Sequence, residues 1–174
     1  LYQVTTMRAE SGKLSELLEW IGEMKTSSFH EDGGGPPPLV MRHSQGDQWD
    51  LMIITPMESW TKHHSPSATR RREKAHAKYM DEIAKGDALV AFSGDHFAYG
   101  PPLPEIQRAY AGSGFFHIEM FEAESGKADE LLQQRRMENV YLATTGQSPN
   151  MIFRRAAGSD VDVFTIGFHE SLEA

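Results

Sequence analysis

The segment Ala9-Glu10-Ser11-Gly12-Lys13 occurs twice, letter for letter, the second time as Ala123-Glu124-Ser125-Gly126-Lys127. The downstream stretches repeat as well. Met41 to Ser59 aligns with Phe153 to Ser171, which matches Arg42 with Arg154, Gly46 with Gly158, Asp50 with Asp162 and Glu58-Ser59 with Glu170-Ser171. A tandem duplication constrains the fold more than any local propensity, because both copies must be able to build the same unit.

Each copy is short, so its element order can be read directly. Tyr2, Val4 and Thr6 alternate with Gln3, Thr5 and Met7, the period of a half-buried strand. Ser11 is placed to cap the next helix, in which Leu14, Leu17, Leu18 and Ile21 form one apolar stripe, widened by Trp20 and Met24, with an end near Lys25 to Ser28. Gly33 to Pro38 reads as a loop. Strands are expected at Leu39 to Ser44 and Trp49 to Thr55, joined by a turn at Gln45-Gly46-Asp47. That turn sets Arg42 across from Asp50, and Arg154 across from Asp162, as opposite-charge cross-strand pairs. A second helix over Ala68 to Lys85, with His76, Tyr79, Met80 and Ile83 as its apolar stripe, stops at Gly86 and leads to a strand over Asp87 to Ser93.

The first copy is therefore βαββαβ, a ferredoxin-like order. The second repeats it with a strand over Phe115 to Phe121, a helix over Ser125 to Leu142 and strands over Asn150 to Arg155 and Val161 to Phe168. The fold class is α+β: a first ferredoxin-like unit over 1–99, a linker over 100–114 with a short helix at Glu105 to Ala109, and a second, shorter unit over 115–174. The sequence reaches Ala174 where the second helix of that unit is due, so either it is cut there or the unit is incomplete and another chain covers its open edge or face; a homo-oligomer, a dimer first, is expected.

Composition removes several function classes. A net charge of −8 argues against a nucleic-acid partner. The one basic run, Arg70-Arg71-Arg72 with Lys74 and Lys78, is interleaved with Glu73, Asp81 and Glu82 and reads as a solvated helix face. No apolar run approaches the ~20 residues of a membrane-spanning helix. The absence of cysteine rules out disulfides, iron–sulfur clusters and thiolate metal sites. A chain opening at Leu1 with an immediate strand fits signal-peptide removal or trimming, leaving cytoplasm and export both open. No nucleophile elbow, zinc-protease motif or dinucleotide fingerprint is present, and Ser11-Gly12-Lys13 lacks the upstream glycine of a phosphate loop.

Two ferredoxin-like units in tandem resemble the dimeric α+β-barrel superfamily, which includes antibiotic-biosynthesis monooxygenases, haem-degrading monooxygenases, chlorite dismutase-like proteins and stress-responsive barrels. The resemblance covers nearly the whole chain and rests on element order and duplication. It implies a barrel-like arrangement of the two sheets and binding of a small apolar or aromatic molecule, with monooxygenase-like activity that is cofactor-independent or haem-linked. For the haem-degrading members it implies an iron-ligating histidine on the second helix, here His76, preceded by a tryptophan, here Trp60.

The residues themselves offer other candidates. Phe116, Ile118 and Met120 are uniformly apolar and are expected to pack on the helices, which turns His117, Glu119 and Phe121 the other way. A His and a Glu at i and i+2 of a strand share a face and could act as an acid–base pair or as two ligands of a divalent metal. The alternative is a hydrogen-bonded polar pair at a wet interface. His76 on an apolar stripe reads either as a core histidine or as a functional one. His63-His64 reads as an exposed loop and His96 as part of a turn, while His43 and His169 stand near strand ends. Nine Met and nine Phe suit a greasy interior. Against the small-molecule reading stand a non-catalytic binding or assembly module and a haem- or metal-binding protein.

Overall fold

The computed structural model describes residues 1–44 and 47–172. The expected turn through Gln45 and Gly46, and the match of Gly46 with Gly158, lie outside the described residues. The chain is α+β with antiparallel strand pairs, as expected, and divides into two compact units, Leu1–Asp95 and His96–Ala174.

The first unit contains β1 (Tyr2–Ala9), α1 (Leu14–Thr26), α2 (Phe29–Gly33), β2 (Leu39–Arg42), β3 (Leu51–Pro56), α3 (Trp60–His63), α4 (Pro66–Lys78), α5 (Met80–Asp87) and the first half of β4 (Val90–Tyr99). Its strand order β2-β3-β1-β4 is the ferredoxin-like one. Register places Val4 against Ile54 and Met7 against Leu51, so the strands present two distinct faces. Met7, Val40, Leu51 and Ile53 receive Leu14, Leu17, Leu18 and Ile21 of α1, with Trp20, Leu89 and Val90 at the margin. The opposite face, with Tyr2, Val4, Leu39, Met41, Met52 and Ile54, is also buried.

The expected single helix over 68–85 is broken at Tyr79, which caps α4 and precedes α5. α4 buries Ala68 and Ala75, two turns apart, so His76 points outward and is exposed, as is Met80. The reading of His76 as part of an apolar stripe is thereby corrected. Ser65 and Ser59 cap α4 and α3 by accepting from Ala68 N and Lys62 N. His63 and His64 belong to α3 and its cap rather than to a loop, and His64 stacks on Trp60. Asp32 of α2 accepts from Lys78 and Tyr79, at 2.7 and 3.1 Å. Those hydrogen bonds hold its carboxyl below the ordinary value.

The second unit contains the rest of β4, α6 (Leu103–Ala111), β5 (Phe115–Phe121), α7 (Ala128–Thr144), β6 (Met151–Ala157) and β7 (Val163–His169), in strand order β4-β6-β7-β5. β4 continues through Gly94 without the expected turn, so His96 is a strand residue, buried, with its ring edge-on to Phe164 at 5.8 Å.

The duplicated motif is a turn in both units, and it repeats in detail. Gly12 and Gly126 take φ of +76° and +80°, a region open to glycine at little cost. Lys13 N donates to Glu10 O and Lys127 N to Glu124 O, each at 2.8 Å, and each lysine ends on the glutamate three residues on. Ser11 is not the cap: α1 starts from Lys13 and α7 from Lys127, neither with a side-chain capping bond. The conserved partner of the turn is instead an aspartate. Asp50 Oδ2 accepts from Ala9 N at 2.8 Å, and Asp162 Oδ2 from Ala123 N at 2.9 Å. This also corrects the expected charge pairs by one residue. Asp50 O accepts from His43 N and Asp162 O from Arg155 N, so Arg42 stands against Leu51 and Arg154 against Val163. Arg154 pairs with Asp129, while Asp162 pairs with Arg155. A carboxylate that satisfies a strand-end N–H explains why Ala9 and Asp50 recur together as Ala123 and Asp162.

Candidate functional site

The strand β5 carries the candidates His117 and Glu119, and its register with β7 is continuous, from Phe115 against His169 to Phe121 against Val163. One face is aromatic. Phe116, Ile118 and Met120 lie level with Phe168, Ile166 and Phe164, and Phe153 of β6 stacks on Phe164 at 4.6 Å with planes 4° apart. Tyr110 of α6 stacks on Phe116 at 5.4 Å.

The helix α7 lies on the other face. Arg135 sits over the Phe121 ring at 4.4 Å, and Asp129 meets Arg154 at 2.7 Å. The expectation that Phe116, Ile118 and Met120 pack on this helix is therefore reversed: His117, Glu119 and Phe121 face it. Alternation along a strand separates two faces but does not say which receives a helix, and here α6 supplies an aromatic partner to the apolar one.

The seam between α7 and the sheet is polar. Thr165, 1% exposed, donates its hydroxyl to Glu119 Oε2 at 3.2 Å. The Arg135 side chain is 11% exposed, and its Nη1 stands 2.7 Å from Glu138 Oε2. That approach is an ion pair without the alignment of a hydrogen bond. Among the described residues, Arg135 Nε and Glu138 Oε2 are buried without a hydrogen-bond partner. The guanidinium compensates Glu138 Oε2 by charge, whereas an unpartnered donor such as Arg135 Nε costs about 1–3 kcal/mol. At the far end, Asn139 and Asn150 exchange two 2.8 Å bonds that tie α7 to the start of β6. Around Gly167 converge Asn150 Oδ1, His169 Nε2 and the β-carbon of His117; a methyl group there would come within 2.9 Å of the first two. His117 itself is exposed.

In the first unit the same seam is mainly aliphatic, and Thr5 on that face is bonded to Asp95. Matching the copies sets Ile21 against Arg135, Met24 against Glu138, Thr5 against Glu119 and Ile53 against Thr165. Where the first unit has Ile21, Met24 and Ile53, the second has an ion pair and a threonine hydroxyl bonded to Glu119. Sequence reasoning singled out His117 and Glu119 and set His169 near a strand end; it did not single out Thr165, Asn150, Arg135 or Glu138. A position-by-position comparison of the two helices would have exposed Arg135, because Ile21 lies on an unmistakable apolar stripe. Trp60 and His76 lie on α3 and α4 of the first unit, apart from this seam in the chain. Among the described residues no three His, Asp or Glu side chains converge as a metal site would require, and the two-residue metal reading of His117 and Glu119 gains no third ligand.

A separate open hollow of about 420 Å³ lies at the start of α7, lined by Glu122, Ala123, Glu124, Lys127, Glu130, Leu131 and Gln134. Among the described residues no helix is long and apolar enough to cross a membrane.

No protein-family model matches the sequence, and no curated protein matches it. Among solved structures, the chain is similar to one described as a "putative monooxygenase" from Lactobacillus acidophilus NCFM, at 9% identity and a TM-score of 0.46, over 99% of this chain and 77% of the other. That likeness assigns no role to any residue here.

Proposed function

We propose that the second unit binds a small aromatic or otherwise apolar molecule bearing an oxygen function, along the seam between α7 and the β5–β7 face. The observation that carries this reading is the exchange of Ile21, Met24 and Ile53 of the first unit for Arg135, Glu138 and Thr165 in the second. Charged groups in a helix–sheet contact cost stability that aliphatic side chains do not, so their retention calls for a use. Arg135 Nε offers a donor to a phenol, carbonyl or carboxylate oxygen of the ligand, with the Phe121 ring beneath the guanidinium as an apolar floor. Glu119, held by Thr165, is the base of the site, and His117 and His169 stand at its rim as proton carriers. Proton removal from a hydroxyaromatic or enolisable ligand is the chemistry such a set supports. It is also the opening step of the monooxygenase-like activity that the tandem arrangement implies.

Binding of a hydroxyaromatic panel, measured by titration calorimetry on the native protein and on an Arg135→Ile, Glu138→Met, Thr165→Ile variant, tests the proposal. The native protein should bind at least one member, and the variant should lose that binding at least tenfold. The variant should also be more stable than the native protein, by about 1–4 kcal/mol. Equal binding by both proteins, or none by the native one, would refute the site.

A further inference from the structure

Gly167 lies inside β7, buried, and stands against His117 of β5. Glycine weakens a strand interior, so its presence there usually marks a positive φ, a bulge, or a close approach of backbone or ligand. The first two are excluded. Gly167 does not adopt a positive φ, and the register of β5 with β7 runs unbroken through it. Its nearest neighbours are also side chains rather than backbone. A β-carbon at Gly167 would stand 2.9 Å from Asn150 Oδ1, 2.9 Å from His169 Nε2 and 3.6 Å from the β-carbon of His117. What the glycine admits is the convergence of two polar side-chain ends.

Both side chains hang from fixed backbone. Asn150 N donates to Asn139 Oδ1 and Asn150 O accepts from Asn139 Nδ2, each at 2.8 Å, so α7 holds this residue without using its side chain. His169 pairs with Phe115, its carbonyl accepts from Gly114 N at 3.0 Å, and its ring lies 5.9 Å from that of Phe115. Among the described residues, Asn150 Oδ1 and His169 Nε2 make no hydrogen bond, to each other or to another group. The first unit has no counterpart. Gln3 stands against Thr55 where His117 stands against Gly167, and the matches of Asn150 and His169 are Pro38 and Met57.

We infer that Gly167, Asn150 and His169 form a second subsite of the seam, one that takes a hydroxyl group of the ligand. A hydroxyl both donates and accepts, so a single such group can donate to Asn150 Oδ1 and accept from the N–H of His169 Nε2. A carbonyl or carboxylate oxygen accepts only and would leave Asn150 Oδ1 without a donor. Gly167 sets the specificity, because a side chain there would crowd the two polar ends and the hydroxyl between them. The subsite presupposes that the seam binds a ligand, and it adds what class of ligand that is. Thr165, which holds Glu119, and Gly167 share one face of β7 and stand about 6.6–6.8 Å apart along the strand. A ligand that gives its proton to Glu119 therefore reaches Gly167 when it carries a second hydroxyl at the far end of a flat ring system.

Titration calorimetry with a naphthol, and with the naphthalenediol whose second hydroxyl is at the opposite end of the rings, tests this on the native protein, Gly167→Ala and Asn150→Ala. The native protein should bind the diol at least tenfold more tightly, through hydrogen bonds that the naphthol cannot make. Each substitution should bring that ratio close to one. Asn150→Ala keeps both backbone bonds to Asn139, so it decides the matter even if the methyl group of Gly167→Ala prevents folding. Equal binding of the two ligands by the native protein, or a preference that survives in Asn150→Ala, would overturn the subsite and leave the seam as a ligand site. Binding of neither ligand would overturn the subsite too, and the seam falls with it only if the whole hydroxyaromatic panel also fails to bind.

Discussion

The two units start from the same turn, held by the same aspartate, and differ in what their first helix meets. α1 presses Leu14, Leu17, Leu18 and Ile21 onto Met7, Val40, Leu51 and Ile53. α7 keeps Leu131 and Leu132 at the matching positions but turns Arg135 and Glu138 towards Phe121 and the sheet. Backbone geometry was preserved to within a few degrees at Gly12 and Gly126, while the chemistry of the contact was rewritten. The first unit's helix–sheet contact is mainly aliphatic, and the second's carries an ion pair and a hydrogen-bonded glutamate. The turn geometry is the same in both units, and the side chains of the helix–sheet contact differ.

The largest test of that contrast is the matched leucine. Leu17→Ala should cost about 2–5 kcal/mol, because a fully buried leucine leaves a cavity. Leu131→Ala, at a partly exposed position beside the hollow, should cost less than half as much. Urea unfolding monitored separately for each unit would measure both, and equal losses would break the comparison. The aspartates should behave alike instead. Asp50→Ala and Asp162→Ala each strand a backbone N–H, at about 1–3 kcal/mol. Asp162 should cost up to ~1 kcal/mol more, because it also pairs with Arg155. Stability of both variants by the same unfolding assay decides it.

The smallest effect concerns acid. Burial lowers the pKa of His30 on α2, so below its ordinary value the unfolded chain holds more protons and stability falls with pH. Asp32 adds to this from below, since its lowered pKa gives stability that is lost as pH falls through the folded value. Protection factors of the α2 amides, corrected for the intrinsic pH dependence of exchange, should therefore fall as pH drops below about 6.5, through His30, and fall further below about pH 4, through Asp32. Protection that rises on acidification would contradict both signs.

Much of this architecture could be read in advance from the repeat and the strand period. The strand over Phe115 to Phe121 falls where alternation placed it, and the α+β class follows from the element order. Three things were hidden, each for a physical reason. The short helix α2 precedes a run of glycines and prolines that reads as loop throughout. The helix α4 ends at Tyr79 and buries its alanines, Ala68 and Ala75, which give no apolar stripe in the sequence, so His76 lies at the surface. The inward face of α7 has no apolar signature at Arg135 and Glu138, so nothing in its periodicity showed that it packs on the face of His117 and Glu119. The two β5 candidates could be singled out because a histidine and a glutamate two residues apart on a strand are conspicuous. Their partners were not, because Thr165, His169 and Asn150 come together only through the register of β5 with β7 and the seat of α7.

The border between the two compact units falls inside β4, between Asp95 and His96. One continuous strand therefore serves two bodies: its first residues stand beside β1, and its last, Phe97 to Tyr99, bond to β6. Gene dissection at that border would strip a strand from whichever half lost it. A strand shared in this way makes the border between the units a poor place to cut the gene, because neither half would keep the whole of β4.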